Sequence, residues 1–157
     1  MKKCIEIPQF KTFEIENILF DYNGTLAVDG HLKPETKELL LKVCKQYRVY
    51  VITADTFGTV KEALRAFGVE VLILSSDHHT AEKAQCLSRL GAQKTVAIGN
   101  GNNDAMMLKE AIVSMAIMGE EGCAKETLFA SDIVCRNIVS AMELLLHPKR
   151  MIATLRR

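Results

Sequence analysis

The stretch Asn17-Ile18-Leu19-Phe20-Asp21-Tyr22-Asn23-Gly24-Thr25-Leu26 decides how this chain is read. An apolar run ends in a carboxylate, and a turn follows at once. A short apolar run bounded by turn residues predicts a buried strand, set here at Glu16 to Asp21. The carboxyl end of a parallel strand is where open α/β sheets bind ligands. A carboxylate there can act as a nucleophile and form an aspartyl-phosphate.

Working outward, a regular alternation follows. Strands are expected at Val49 to Thr53, Val69 to Leu74, Thr95 to Gly99, Val113 to Ile117 and Asp132 to Cys135. Helices are expected from Pro34 over Leu39, Leu40 and Val43, then at Thr59 to Phe67, Thr80 to Leu90, Asn103 to Glu110, Ala124 to Phe129 and Ile138 to Leu146, with an extension beyond Pro148. Proline suits the first helical turn, and Gly68 and Gly91 suit helix ends. Strands alternating with helices through short loops predict a three-layer α/β/α, Rossmann-like fold on a parallel sheet. Before it, Ile5, Ile7, Phe13 and Ile15 alternate around Pro8, which predicts a hairpin on the sheet edge within residues 1–16. Asp29-Gly30 is a two-residue turn signal and predicts a small β-flap over 26–32.

The 157 residues suit a single domain over 1–157. The chain is 48% hydrophobic and 25% charged, with a net charge of +1, which gives no reason to expect a nucleic-acid or membrane partner. No apolar run approaches the roughly 20 residues that span a bilayer. Met1-Lys2-Lys3-Cys4 carries charge where a signal peptide needs an apolar core. Five scattered cysteines show no metal-ligand spacing, so reduced thiols in a cytoplasm are expected, most of them packed in the core. Met106, Met107, Met115 and Met118 are also read as core packing.

Four strand tips carry polar residues: Asp21, Thr53, Ser75-Ser76-Asp77, and Gly99-Asn100-Gly101-Asn102-Asn103-Asp104. Lys83 lies in the first turn of the helix after the third tip. In a parallel sheet all of these fall on one edge. A carboxylate, a hydroxyl, an ammonium and a second carboxylate are the groups that phosphoryl transfer with a divalent ion needs. His78 and His79 read as solvated loop residues. Asp55 is balanced between a helix cap and a ligand. Lys149, Arg150, Arg156 and Arg157 form a basic tail that reads as solvated.

The ordered set Asp21-x-Asn23-Gly24-Thr25-Leu26, Thr53, Lys83 and Gly99 through Asp104 resembles the motifs of the haloacid dehalogenase-like phosphotransferase superfamily. The likeness runs from about Asn17 to Leu146, and its nearest flavour is the phosphorylation domain of P-type ATPases. Thr53-Ala54-Asp55 is similar to the Thr-Gly-Asp of those enzymes. The resemblance implies a catalytic set of Asp21, Asn23, Thr53 and Lys83, with Asp21 as nucleophile. It implies phosphate binding by Thr53, Ala54, Lys83 and Asn103. It implies magnesium held by Asp21, the Asn23 backbone carbonyl, Asn100 and Asp104.

Two departures shape the expected activity. Hydrolytic members carry an aspartate as general acid and base where this chain has Asn23, and a metal-binding aspartate where it has Asn100. An amide cannot exchange that proton, and losing such help typically costs about 10²–10⁴-fold in rate. Slow turnover with accumulating aspartyl-phosphate is therefore expected. Asn23-Gly24 and Asn100-Gly101 are also the dipeptides most prone to deamidation. Only 27 residues (26–52) lie between Thr25 and Thr53, and 29 (54–82) between Thr53 and Lys83. Neither gap holds a cap domain of ordinary size. The resulting expectation is a capless, magnesium-dependent phosphohydrolase acting on a phosphorylated small molecule or macromolecule, as a homo-oligomer. The alternatives are a catalytically impaired regulatory protein that binds phosphate or metal, and a phosphotransferase subunit that needs a partner.

Overall fold

A computed structural model describes residues 2–157; Met1, the first residue of the expected hairpin, lies outside them. The chain runs β1 (Lys3–Ile7), β2 (Lys11–Ile15), β3 (Asn17–Asp21), α1 (Pro34–Gln46), β4 (Arg48–Thr53), α2 (Thr59–Leu64), β5 (Glu70–Ile73), α3 (His79–Leu90), β6 (Thr95–Gly99), α4 (Ala105–Glu110), β7 (Val113–Ile117), α5 (Lys125–Ala130), β8 (Ile133–Cys135), α6 (Ile138–Leu146) and α7 (Pro148–Leu155). Six strands form one sheet in the order β5-β4-β3-β6-β7-β8, and every pairing in it is parallel. Central strands buried on both faces need continuous apolar runs, and β3, β6 and β7 are buried at every position.

Side-chain alternation divides the core into two layers. Ile18 and Phe20 of β3, Val96 and Ile98 of β6, and Met115 of β7 pack with Leu39, Leu40 and Val43 of α1 and Ala141, Met142 and Leu145 of α6. Leu19, Ala97 and Ala116 point the other way and pack with Leu87 of α3 and Met107 and Leu108 of α4. In α1 the buried positions Thr36, Leu39, Leu40 and Val43 follow the spacing that gives one apolar stripe on a helix. Asn17 is polar and buried at the start of β3, and it is satisfied there. Its amide donates to the Leu90 carbonyl (3.0 Å) and to Thr95 Oγ1 (3.2 Å).

Two expectations need correction. The N-terminal hairpin does not extend the main sheet; β1 and β2 pair as a separate two-stranded sheet. Glu16 N–H donates to the Lys94 carbonyl just before β6, so the hairpin lies under the amino ends of the strands, where Ile5, Ile7, Phe13 and Ile15 join the core. Of the four methionines, Met107 and Met115 are buried, whereas Met106 and Met118 are exposed. The five cysteines are free thiols, and most pack with the core as expected: Cys135 is buried, Cys44, Cys86 and Cys123 are half-buried against it, and Cys4 is exposed. The expected flap is built on a single tight turn. Val28 and His31 exchange two backbone hydrogen bonds of 3.0 Å around Asp29 (φ 50°) and Gly30 (φ 79°). Tyr22 donates its hydroxyl to the Gly30 carbonyl at 2.8 Å and anchors that turn. No helix among the described residues is long and apolar enough to cross a membrane.

Adjacent leucines of α1 test the layer assignment. Leu40 is fully buried and Leu41 is 46% exposed. Leu40→Ala should cost about 2–5 kcal/mol of unfolding free energy. Leu41→Ala should cost less than about 1 kcal/mol. Urea unfolding midpoints measure both.

Candidate active site

The chain starts its main sheet in the middle. From β3 it steps outward through β4 and β5, then returns to the other side of β3 for β6, β7 and β8. The connections on either side of β3 and β6 therefore diverge and leave a crevice at the carboxyl ends of these two strands. Asp21 ends β3, Thr53 ends β4, and Asn100 follows β6. A cleft of about 230 Å³ opens there, lined by Asp21, Asn23, Thr53, Ala54, Leu74, His79, Lys83, Asn100, Gly101 and Asn103.

Lys83 sits one helical turn inside α3 and is 3% exposed. Its ammonium donates to Asp21 Oδ1 (2.9 Å), Asn103 Oδ1 (2.8 Å) and Asp104 Oδ1 (2.7 Å). An ammonium has three protons, so the set is full. The other oxygen of Asp104 accepts the backbone N–H groups of Asn100 and Gly101, both at 3.0 Å. Asp104 is fully buried with both oxygens committed. It orients Lys83 and shapes the loop after β6. Gly99 makes this approach possible, because a Cβ there would stand 2.5 Å from Asp104 Cγ.

Two carboxylates and one ammonium leave this buried cluster with a formal charge of −1. Burial, and then the charge of Asp104, push the Asp21 carboxyl up from about 3.8 to about 7 despite Lys83. Burial opposes the charge on Lys83, but Asp21 and Asp104 outweigh it and hold its pKa above the usual lysine value.

The second Asp21 oxygen faces Thr25 Oγ1 at 3.1 Å, and that hydroxyl lies equally close (3.1 Å) to Asn100 Oδ1. Thr25 therefore gathers two oxygens from opposite sides of the crevice. The Asn100 amide nitrogen donates to the Gly122 carbonyl at 3.2 Å, which leaves its oxygen on the Thr25 hydroxyl. Gly24 (φ 77°) leaves room for this amide, since a Cβ there would lie 2.9 Å from Asn100 Cγ. Among the described residues no cluster of three or more His, Cys, Asp or Glu side chains could hold a metal. Magnesium does not need one. It usually takes one or two carboxylates and completes its shell with other oxygens, waters and phosphate. One carboxylate oxygen, one amide oxygen and a net negative cluster fit it.

Thr53 is 3% exposed, and its Oγ1 accepts the Asp55 N–H at 3.1 Å. Its hydroxyl proton stays available to the cleft. Asp55 itself binds Thr59 Oγ1 (2.5 Å), Val60 N–H (3.0 Å) and Phe57 N–H (3.0 Å), so it ties down the loop before α2. Those bonds, the Thr59 hydroxyl first, hold its carboxyl below the usual range. Both deamidation-prone pairs are also restrained. The Gly24 N–H that would attack Asn23 donates to the Ala27 carbonyl at 2.9 Å, and the Gly101 N–H is held by Asp104. The basic tail is remote from the cleft: Arg157 N–H donates to the Pro8 carbonyl, at the hairpin end of the molecule.

A family model for haloacid dehalogenase-like hydrolases matches residues 6–111. This chain belongs to that family. Two proteins of Methanocaldococcus jannaschii, the uncharacterized proteins MJ0073 and MJ0072, share 45% identity over 64 residues and 44% over 39. Those matches cover 41% and 25% of this chain, and 69% and 89% of the relatives. Among solved structures, the 3-deoxy-D-manno-octulosonate 8-phosphate phosphatase of Moraxella catarrhalis, in complex with magnesium, phosphate and its sugar acid, superposes with a TM-score of 0.70 at 18% identity, over 90% of this chain and 94% of that one. The cobalt-bound enzyme of the same name from Haemophilus influenzae gives 0.68 at 14% identity, over 91% and 94%. A phosphoserine phosphatase gives 0.60 at 16% identity, over 85% and 98%. At these identities the likeness is one of fold.

Within this haloacid dehalogenase-like frame, the structure brings together Asp21, Asn23, Thr53, Ala54, Lys83, Asn100 and Asn103 around one cleft, with Asp104 beneath them. Two residues were underread in the sequence. Thr25 was seen as part of a turn, and nothing in a local pattern says that it will face Asn100, 75 positions away. His79 was read as solvated but lines the cleft. The only local hint was its place one helical turn before Lys83.

The Asp21 shift has a definite sign. With its folded pKa raised to about 7, the folded chain holds a proton that the unfolded chain releases near 3.8, so stability falls as pH rises through that window. Asp21→Asn should therefore raise the melting temperature in EDTA at pH 8 and change it little at pH 5. Equal shifts at the two pH values would contradict this. Asn100→Asp should lower the EDTA melting temperature, because a carboxylate would then face both the Gly122 carbonyl and Asp21. Magnesium should raise the melting temperature more in that variant than in wild type.

Proposed function

We propose that this chain is a magnesium-dependent phosphohydrolase working through an aspartyl-phosphate at Asp21. One observation carries the reading. The carboxylate at the switch point of the sheet is gripped by a buried lysine at 2.9 Å, in a cleft that also presents a free threonine proton. Asp21 would attack phosphorus in line while Thr53 takes one equatorial oxygen and Lys83, exchanging its bond to the Asp21 oxygen for one to the phosphoryl group, takes another, with Ala54 and Asn103 beside them at the cleft wall. Positioning and charge neutralisation are most of what this reaction asks of a protein. Magnesium, held by Asp21, the Asn23 carbonyl and Asn100 with Asp104 behind them, would supply positive charge at the phosphoryl oxygens.

The substrate class is a phosphate ester. The cleft is small, and the two places where a cap could be inserted hold only the flap turn and the α2–β5 unit. The rest of the substrate therefore lies outside the cleft, which suits an exposed phosphate on a macromolecule, or a small molecule enclosed by a second copy of this chain. Exposed Met118, Phe129 and Val134 near β8 support self-association. Five free thiols support a reducing, cytoplasmic setting.

Asn23 favours slow hydrolysis of the acyl phosphate, because an amide cannot take a proton from the attacking water. Incubation with a phosphate ester and magnesium, followed by acid quench, should trap a phosphoenzyme that Asp21→Asn abolishes. Lys83→Ala should slow its formation by at least about 10²-fold. Fast turnover without a trapped intermediate would contradict the slow step. Failure of Asp21 to become phosphorylated would favour the second reading that Asn23 and Asn100 motivate, a regulatory protein binding phosphate or metal without turning it over.

A further inference from the structure

Transfer of a phosphoryl group to Asp21 leaves an alkoxide or phenoxide that needs a proton, and this site lacks the acid expected for it. Three side chains lining the cleft are ordinarily titratable: Asp21, Lys83 and His79. Asp21 is the nucleophile. Lys83 has all three protons engaged with Asp21, Asn103 and Asp104. His79 remains, and its imidazole makes no hydrogen bond or ion pair with any group among the described residues. In-line displacement expels the leaving group on the side opposite the nucleophile. Asp21 is buried at the strand tip, whereas His79 is only half-buried, in the first turn of α3 beside the opening. The acidic residue nearest in that turn, Glu82, is occupied elsewhere. It binds the N–H and hydroxyl groups of Ser75 and Ser76, which fixes the loop leading into α3, where His79 is the first residue.

We propose that His79 is the general acid for the leaving group, in the phosphorylation half-reaction only. The inference rests on the aspartyl-phosphate reading above. In the step, an Asp21 oxygen forms a bond to phosphorus, and the ester P–O bond breaks. Its electron pair goes to the leaving oxygen, and the imidazolium proton follows it. The neutral imidazole left behind recovers a proton from solvent at the open mouth. Hydrolysis of the aspartyl-phosphate then proceeds without this group, so the phosphoenzyme still accumulates. A histidine in this place does part of the work that Asn23 cannot.

The test is the dependence on leaving group. Phosphoenzyme formation is measured by acid quench in single turnovers, with magnesium, for p-nitrophenyl phosphate, phenyl phosphate and ethyl phosphate. The proteins are wild type, His79→Gln, His78→Gln and Asp21→Asn. A nitrophenolate leaves without a proton, whereas a phenoxide or an alkoxide does not. His79→Gln should leave p-nitrophenyl phosphate within about threefold and slow phenyl phosphate by about 10²-fold or more, with ethyl phosphate affected at least as strongly. His78→Gln, exposed and outside the cleft, should match wild type throughout. A loss that is equal across the three esters, or absent for all of them, overturns the role of His79 while leaving the Asp21 reading intact. No Asp21-dependent phosphoenzyme in wild type with any ester overturns both. Unchanged melting temperature in His79→Gln excludes misfolding as the cause of a loss.

Discussion

One ammonium holds the centre of this molecule together. Lys83 joins the tip of β3 to the loop after β6, through Asp21 on one side and Asn103 and Asp104 on the other. Without it, two carboxylates would face each other in a buried crevice with nothing to offset them. With it, the cluster is one charge short of neutral, and that deficit is what a divalent ion would fill. The same contact sets the charge balance at Asp21, because a carboxylate left alone in that environment would hold its proton.

Much of the fold was legible, because the forces that set it act locally. The run from Ile18 to Phe20 is apolar on both faces, and Pro34, Gly68 and Gly91 punctuate helices as their backbone chemistry requires. The hairpin was placed wrongly because alternation in Ile5, Ile7, Phe13 and Ile15 reports that one face is buried, not what covers it. The methionines were misjudged for a similar reason. Met106 and Met107 are neighbours on α4, and the packing of that helix on the sheet, α3 and α5 decides which one turns inward. In the site, ordered motifs brought out Asp21, Thr53, Lys83 and Asp104. His79 stayed hidden because a histidine beside a serine-rich loop carries no periodic signal, and its position depends on the direction in which α3 leaves the sheet.

The asparagine at position 100 is more than a missing charge. Its nitrogen satisfies Gly122 and its oxygen meets Thr25, so the amide is used at both ends. The 119–122 turn is in turn joined to the flap, by the Lys33–Glu120 ion pair and by the Asp29 N–H on Glu121 Oε2 at 3.1 Å. The contacts run from flap to turn to amide to Asp21, with no acidic residue required at the third place. The flap and the 119–122 turn are thereby built into the same framework as the cleft.

The central reversal of the sheet also governs when this chemistry can exist. Asn17 pairs with Thr95 across a separation of 78 residues, and Asp21 and the aspartate that steadies its lysine lie on opposite sides of that junction. Neither half of the polypeptide carries the Asp21–Lys83–Asp104 cluster alone. During synthesis, Asp21 emerges first and waits, uncompensated, until β6 closes against β3, a slow long-range contact. The buried cluster is therefore assembled only once the two flanks of the sheet have met at that junction.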